Sequence, residues 1–108
     1  MILKNGVNPF GIKQELMLAL IVADRVWPKF GQELVVTSIN DGEHSYQSLH
    51  YAGFAADLRI RYFPEKVRAK VAAALRLALG NSPDYDVILE STHIHIEYQP
   101  KLRGSRKV

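Results

Sequence analysis

The sequence predicts an α+β domain with a mainly antiparallel sheet and helices packed on one side. Helical and β-rich segments follow each other in the order helix, strand, strand, helix, hairpin, which favours that class. The chain has 108 residues, of which 47% are apolar and 23% charged, so it can build about one hydrophobic core. We therefore treat residues 1–100 as one cooperative domain, followed by a basic C-terminal tail at 101–108.

The first helix is predicted over residues 11–27, where apolar side chains recur at spacings of three and four. Pro28 and Gly31 end it. A second helix is predicted over residues 64–79 by the same spacing. The other side of the first helix is also apolar, so we expect that helix to be largely buried. The residues on that side are Met17, Leu18, Ile21 and Val22.

Four segments have the composition of strands. Residues 33–39 are rich in β-branched side chains and precede a turn-forming Asn-Asp-Gly. Residues 54–60 form the second candidate. Residues 85–90 and His93–Tyr98 are separated by Ser91-Thr92, which predicts an antiparallel hairpin.

The composition excludes several classes of site. The chain has no Cys, so it contains neither disulfides nor a cysteine nucleophile, and a zinc finger is excluded. Its formal net charge of +3 attracts polyanions only weakly. The clearest concentration of positive charge is the tail, which we interpret as a solvated end, and we expect no nucleic-acid partner. Its basic residues are Lys101, Arg103, Arg106 and Lys107.

No segment of the sequence predicts insertion into a membrane. The longest apolar run, residues 16–23, lies between Glu15 and Asp24 and is far shorter than the ~20 residues that span a bilayer. The first residues also lack the basic region, apolar stretch and cleavage site of a signal peptide. We therefore expect a chain made in the cytoplasm, with no membrane partner.

Histidines and acidic residues form a pattern in the last predicted strand. Side chains at alternate positions of a strand point to the same face, so His93, His95 and Glu97 share one face. The apolar residues between them face the core. An exposed polar strand face is the simpler interpretation of this pattern.

A second polar group precedes that strand in sequence. His50 and Asp57 flank a glycine-containing turn, and apolar residues surround Asp57 in the sequence. A carboxylate in such surroundings needs a partner, and a metal ion is one candidate. Zinc prefers nitrogen and oxygen ligands, with three protein ligands and one water in catalytic sites. One His and one Asp from this segment, with one His from the hairpin, would supply that set.

Residues 48–57 have the form S-x-H-x-x-G-x-A-x-D, which resembles the first zinc motif of the M15-type D-Ala-D-Ala metallopeptidases. Residues 90–95, Glu-Ser-Thr-His-Ile-His, resemble the second motif of that group. Both stretches, together with residues 41–45, are also similar to the zinc domain of hedgehog signalling proteins, which shares the same fold. The resemblance covers under a third of the chain and implies a hedgehog/DD-peptidase-like fold.

The resemblance implies a zinc ion held by His50, Asp57 and His95, with the fourth position open to water. Relatives differ in the spacing between the acidic residue and the last ligand, so His93 is the alternative third ligand. We favour His95, because the second His of His-x-His versions of the site binds zinc. Glu97 is either a hydrogen-bond partner of a ligand histidine or a solvated carboxylate.

The resemblance also implies roles in catalysis. The zinc-bound water would be the nucleophile, and Glu90 would be the general base that takes its proton. His93 and His44 are candidates for stabilising the tetrahedral intermediate or passing a proton to the leaving amine.

The activity that the resemblance implies is hydrolysis of peptide bonds in the stem peptides of bacterial peptidoglycan. The chain would act as a monomeric DD-carboxypeptidase or endopeptidase at the cell wall, in phage or prophage release or as part of a virion. Many carboxypeptidases of this group carry an arginine in the loop after the strand containing Ser38, where residues 39–42 of this chain hold no cation. Arg59 and Arg61 are the nearby alternatives, although arginines on a solvated strand edge are common. The rival class is a non-enzymatic, zinc-containing binding module of the hedgehog kind.

Overall fold

The structure is a computed structural model that describes residues 1–40 and 54–100. The predicted helices and strands are present, with ends that differ from the predicted ones by at most three residues. The α+β class is therefore confirmed, whereas the tail at 101–108 lies outside the described residues. The elements are β1 (Ile2–Leu3), α1 (Gln14–Val26), a 3-10 helix (Trp27–Phe30), β2 (Val35–Asn40), β3 (Ala55–Arg59), α2 (Glu65–Ala78), β4 (Tyr85–Leu89) and β5 (His93–Tyr98).

The strands form one five-stranded sheet in the order β1-β2-β3-β5-β4. Three neighbouring pairs are antiparallel, including the predicted hairpin of β4 and β5. β1 instead runs parallel to β2, so the sheet is mixed. The sequence does not predict β1, because a strand of two residues is too short to show an alternating pattern.

The helices pack on one side of the sheet. Side chains from α1, the 3-10 helix, α2 and the inner face of the strands form a single buried cluster, which has Leu20, Trp27, Leu58, Val71 and Ile96 among its members. The indole of Trp27 is fully buried, and its Nε1 donates a hydrogen bond to the backbone oxygen of Arg59 at 3.0 Å. This bond ties the helical layer to the end of β3.

α1 buries one face only. Its buried residues are Leu16, Ala19, Leu20, Ala23 and Val26. Met17, Leu18 and Ile21 on the other face are 37%, 51% and 43% exposed, so the expectation of a largely buried helix is wrong. A two-layer domain covers each helix from the sheet side, which leaves the outer face open. No helix in the described part of the chain is both long and apolar enough to cross a membrane.

A β-bulge in β2 brings two neighbouring hydroxyls to β3. The register passes from Val36 opposite Leu58 to Ser38 opposite Asp57, so Thr37 is an extra residue on β2. The Thr37 hydroxyl donates to the backbone oxygen of Asp57 at 3.3 Å, and the Ser38 hydroxyl donates to the carboxylate of Asp57 at 3.1 Å. Both hydroxyls thus bond to the same residue of the neighbouring strand.

Arg68 of α2 donates hydrogen bonds to two connecting segments beside the sheet. Its Nε donates to the backbone oxygen of Phe63 at 3.1 Å, and its terminal nitrogens donate to those of Arg61 and Ser91 at 3.2 Å each. One guanidinium therefore joins α2, the segment after β3 and the turn between β4 and β5. The planar fork of arginine suits several acceptors at once.

We expect Arg68→Ala to lower the free energy of unfolding by about 1–2 kcal/mol, because three carbonyl groups lose a charged donor. Arg68→Lys should recover less than half of that loss, since an ammonium group does not reproduce the fork. Chemical denaturation measures both changes, with Lys70→Ala on the same helix as control. A loss for Arg68→Ala no larger than that of the control would contradict this role.

Candidate metal centre

The site lies on the face of the sheet opposite the helices. In the register of β3 and β5, Asp57 lies opposite His95 and Arg59 lies opposite His93. Leu58 and Ile94, the residues between them, are fully buried in the core. Because side chains alternate along a strand, burying those two places Asp57 and His95 together on the open face.

Asp57 is the centre of the polar contacts on this face. Its Oδ1 accepts a hydrogen bond from Nδ1 of His95 at 2.8 Å and lies 3.6 Å from Nε2 of His93. Its Oδ2 accepts the hydrogen bond from Ser38. The side chain is 26% exposed, so the carboxylate is shielded from bulk water but reachable from it.

His95 lies between two carboxylates. Its Nδ1 faces Asp57, while Nε2 is 3.1 Å from Oε1 of Glu97. The two interpretations of Glu97 are thus decided in favour of a hydrogen bond to a histidine. With both ring nitrogens donating to carboxylates, the imidazole is held in its doubly protonated form when no metal is present.

The pKa values of this pair follow from the contacts. Burial raises the pKa of the Asp57 carboxyl, but the hydrogen bond from His95, the charge of His93 and the hydrogen bond from Ser38 together lower it below 3.8. The hydrogen bond to Asp57 is the main cause that raises the pKa of His95 from 6.5 to about 9. Burial opposes this change, and the hydrogen bond to Glu97 adds to it.

His93 and Glu90 lie next to the pair. Nε2 of His93 is 3.4 Å from Oε1 of Glu90, and its Nδ1 is 3.1 Å from the hydroxyl of Thr92. The turn of the hairpin produces this neighbourhood, since the backbone N–H of Glu90 donates to the backbone oxygen of His93 at 2.9 Å. Glu90 is 47% exposed and His93 is 27% exposed, so both are open to a ligand.

Asp57 and His95 can be compared with the ligands that zinc prefers. Oδ1 of Asp57 and Nδ1 of His95 face each other at 2.8 Å, and ligands of tetrahedral zinc at 2.0–2.2 Å lie roughly 3.3 Å apart. If the two groups moved slightly apart, the ion would fit between them. Glu97 would then hold the other ring nitrogen, as carboxylates commonly do for ligand histidines. The donor set therefore fits zinc, but it contributes two of the expected ligands.

His50 and His44, the remaining predicted ligand and catalytic residue, lie outside the described residues. Within residues 1–40 and 54–100, no group of three or more His, Asp or Glu side chains is arranged to hold a metal ion. A complete zinc site would need a ligand from the segment between β2 and β3.

Sequence reasoning missed the contacts that cross from β2. The hydroxyls of Thr37 and Ser38 reach Asp57 because of the bulge, and one extra residue in a β-branched segment leaves no signal in the pattern of apolar residues. The sequence also does not predict the hydrogen bonds of Arg68, because an arginine that only faces water on a helix has the same sequence context.

No protein-family model matches this chain, and no curated protein matches it. The function is therefore inferred from the side chains on the open face of the sheet.

We expect the metal-free protein to lose about 1–2 kcal/mol of stability as the pH rises from 6.5 through about 9. The pKa of His95 is higher in the folded state than in the unfolded state, so protonated His95 stabilises the fold and this contribution disappears when the proton is lost. The lowered pKa of Asp57 has the opposite sign, since its contribution is full above pH 3.8 and disappears in acid. Chemical denaturation between pH 6 and 10, with Asp57→Asn as comparison, measures the change.

In Asp57→Asn the loss between pH 6.5 and 9 should be much smaller, and an NMR titration should find the His95 pKa moved toward 6.5. Equal pH dependence in the two proteins, with an unmoved His95 midpoint, would show that the pair does not interact as described.

Proposed function

We propose that this chain is a zinc-dependent peptidase that hydrolyses peptide bonds in the stem peptides of bacterial peptidoglycan. The observation that carries the proposal is the pairing of Asp57 with His95 at 2.8 Å on the open face, with Glu90 and His93 beside it. These are the residue types, in the sequence order, that the resemblance to M15-type metallopeptidases implies for zinc and for the general base. A fold of the hedgehog/DD-peptidase kind is part of the same proposal.

Asp57 and His95 would hold the zinc ion together with His50. His95 is a better candidate than His93, because the register places it directly opposite Asp57 and its second nitrogen already has a carboxylate partner. When bound, zinc supplies a Lewis acid that lowers the pKa of a water and polarises a carbonyl group.

Glu90 is suited to the role of general base. Its carboxylate lies at the hairpin turn, next to the metal-ligand candidates, and is exposed enough to meet an incoming water. Oε1 of Glu90 is 3.4 Å from Nε2 of His93, a distance that shortens to a hydrogen bond with a small rotation. A proton taken up by Glu90 can therefore pass to His93 and on to the leaving amine. His44 is the second candidate for stabilising the intermediate.

The open face also suits a peptide substrate. The helices of the described residues cover only the other side of the sheet, so an extended peptide can approach Asp57 and His95 without displacing either of them. The proposal also includes action at the bacterial cell wall, by a monomer without nucleic-acid or membrane partners. Both carboxypeptidase and endopeptidase activity are compatible with an open face.

We expect Glu90→Gln to retain zinc and to lose hydrolysis by at least about 100-fold, because the amide cannot accept the proton. Mass analysis of muropeptides after digestion of purified peptidoglycan measures activity and identifies the bond that is cut. Glu33→Gln, an exposed substitution before β2, is the matched control and should keep full activity.

Full activity of Glu90→Gln would remove this residue from the mechanism. If the unsubstituted protein binds zinc but cleaves no type of peptidoglycan, that result would favour the rival function, a hedgehog-like binding module.

The two candidate histidines can be separated by metal affinity. We expect His95→Ala to weaken zinc binding by at least about 100-fold, because a ligand is lost, whereas His93→Ala should change it by about tenfold or less. Titration with zinc against a competing chelator measures both variants. The reverse order of losses would assign the ligand role to His93.

A further inference from the structure

A cavity of about 170 Å³ opens on the same face of the sheet, beside the candidate metal centre. A water needs only ~10–15 Å³, so the cavity admits a larger group. It is formed where the end of β3 meets the hairpin turn and the segment after β1. Its lining residues are Lys4, Thr37, Arg59, Arg61, Thr92 and His93.

The charge of this cavity is positive. Lys4, Arg59 and Arg61 contribute three cations, and none of the six lining residues is acidic. Among the described residues, none of these three cations takes part in an ion pair. Like charges repel one another, and an anion that enters the cavity relieves that repulsion.

The donors that this cavity offers to a ligand are the guanidinium groups of Arg59 and Arg61. The hydroxyls of Thr37 and Thr92 also lie on its wall, but they already bond to Asp57 and His93. Guanidinium groups bind carboxylates through two parallel hydrogen bonds. Two arginines on one wall suit an oxyanion, and a carboxylate is the oxyanion that a peptide carries.

The cavity lies close to the pair of Asp57 and His95. Arg59 lies opposite His93, two residues along the register from the pair of Asp57 and His95. Two residues along a strand span about 7 Å. His93 itself lines the cavity, while its Nε2 faces Asp57 and Glu90. A group bound in the cavity would thus lie within about two residues of a peptide bond held at the centre.

We infer that this cavity is a carboxylate-binding subsite, which selects peptides that carry a free carboxylate within about two residues of the bond to be cut. The inference rests on the proposed function for its link to cleavage, but the subsite itself rests on the cavity and its cations. The residues are also distinct from the loop position after β2, where the resemblance would place a substrate-binding arginine. The carboxylate can be the C-terminus of the peptide or an acidic side chain.

The first test measures binding without cleavage. N-acetyl-D-alanine and its C-terminal amide are titrated into the chain and followed by NMR. We expect the acid to shift the signals of Arg59 and Arg61, and the amide to bind at least about tenfold more weakly. The double variant Arg59→Ala, Arg61→Ala should lose the preference for the acid, whereas Arg25→Ala, an exposed arginine on α1, should keep it.

Equal binding of acid and amide, or an acid preference that survives in the double variant, would overturn the inference. A preference that survives would mean that the carboxylate binds elsewhere, including at a metal ion.

The second test uses cleavage. Stem peptides with a free C-terminus, an amidated C-terminus or an amidated acidic side chain are compared by kcat/KM. A loss of about tenfold or more from one amidation identifies the carboxylate that is bound, and the double variant should abolish that loss. Cleavage that is indifferent to both amidations would refute the subsite. Binding selectivity without any cleavage would instead refute the proposed function and leave the subsite standing.

Discussion

The register between β3 and β5 is the constraint on which the rest of the site depends. Leu58 and Ile94 are both fully buried, and strand alternation then fixes Asp57 and His95 as neighbours on the opposite face. A slip of one residue would turn the apolar side chains to water and the charged pair into the core. The hydrophobic core therefore specifies the polar site, although no core residue belongs to it.

The polar contacts around Asp57 show how a half-buried carboxylate is kept ionised at the surface of a sheet. Burial acts against the charge, and the hydrogen bond from His95, the charge of His93 and the hydrogen bond from Ser38 together outweigh it. The bulge in β2 supplies one of those donors and the hairpin supplies the other. These contacts hold the Asp57 carboxylate in place, and a metal ion would have to replace its hydrogen bond with His95.

The sequence predicts the elements that repeat a pattern and misses the features that depend on one residue. Alternation in the last strand predicts that His93 and His95 share a face, and the register confirms it. The same approach overestimates the burial of α1, because an apolar side chain does not reveal whether a second layer covers it. The bulge at Thr37 and the cations around the neighbouring cavity depend on how separate segments meet, which periodicity does not encode. His44 and His50 lie outside the described residues, so their roles stay predictions.

The central claim is that Asp57 and His95 hold a metal ion together. Anomalous diffraction from crystals of the zinc-loaded protein, recorded on both sides of the zinc absorption edge, locates the ion directly. The account predicts one peak at about 2.0–2.2 Å from the Asp57 carboxylate and from a ring nitrogen of His95, with Glu97 bonded to the other nitrogen. A peak elsewhere, or a zinc-soaked crystal in which Asp57 and His95 still bond directly to each other, would contradict it.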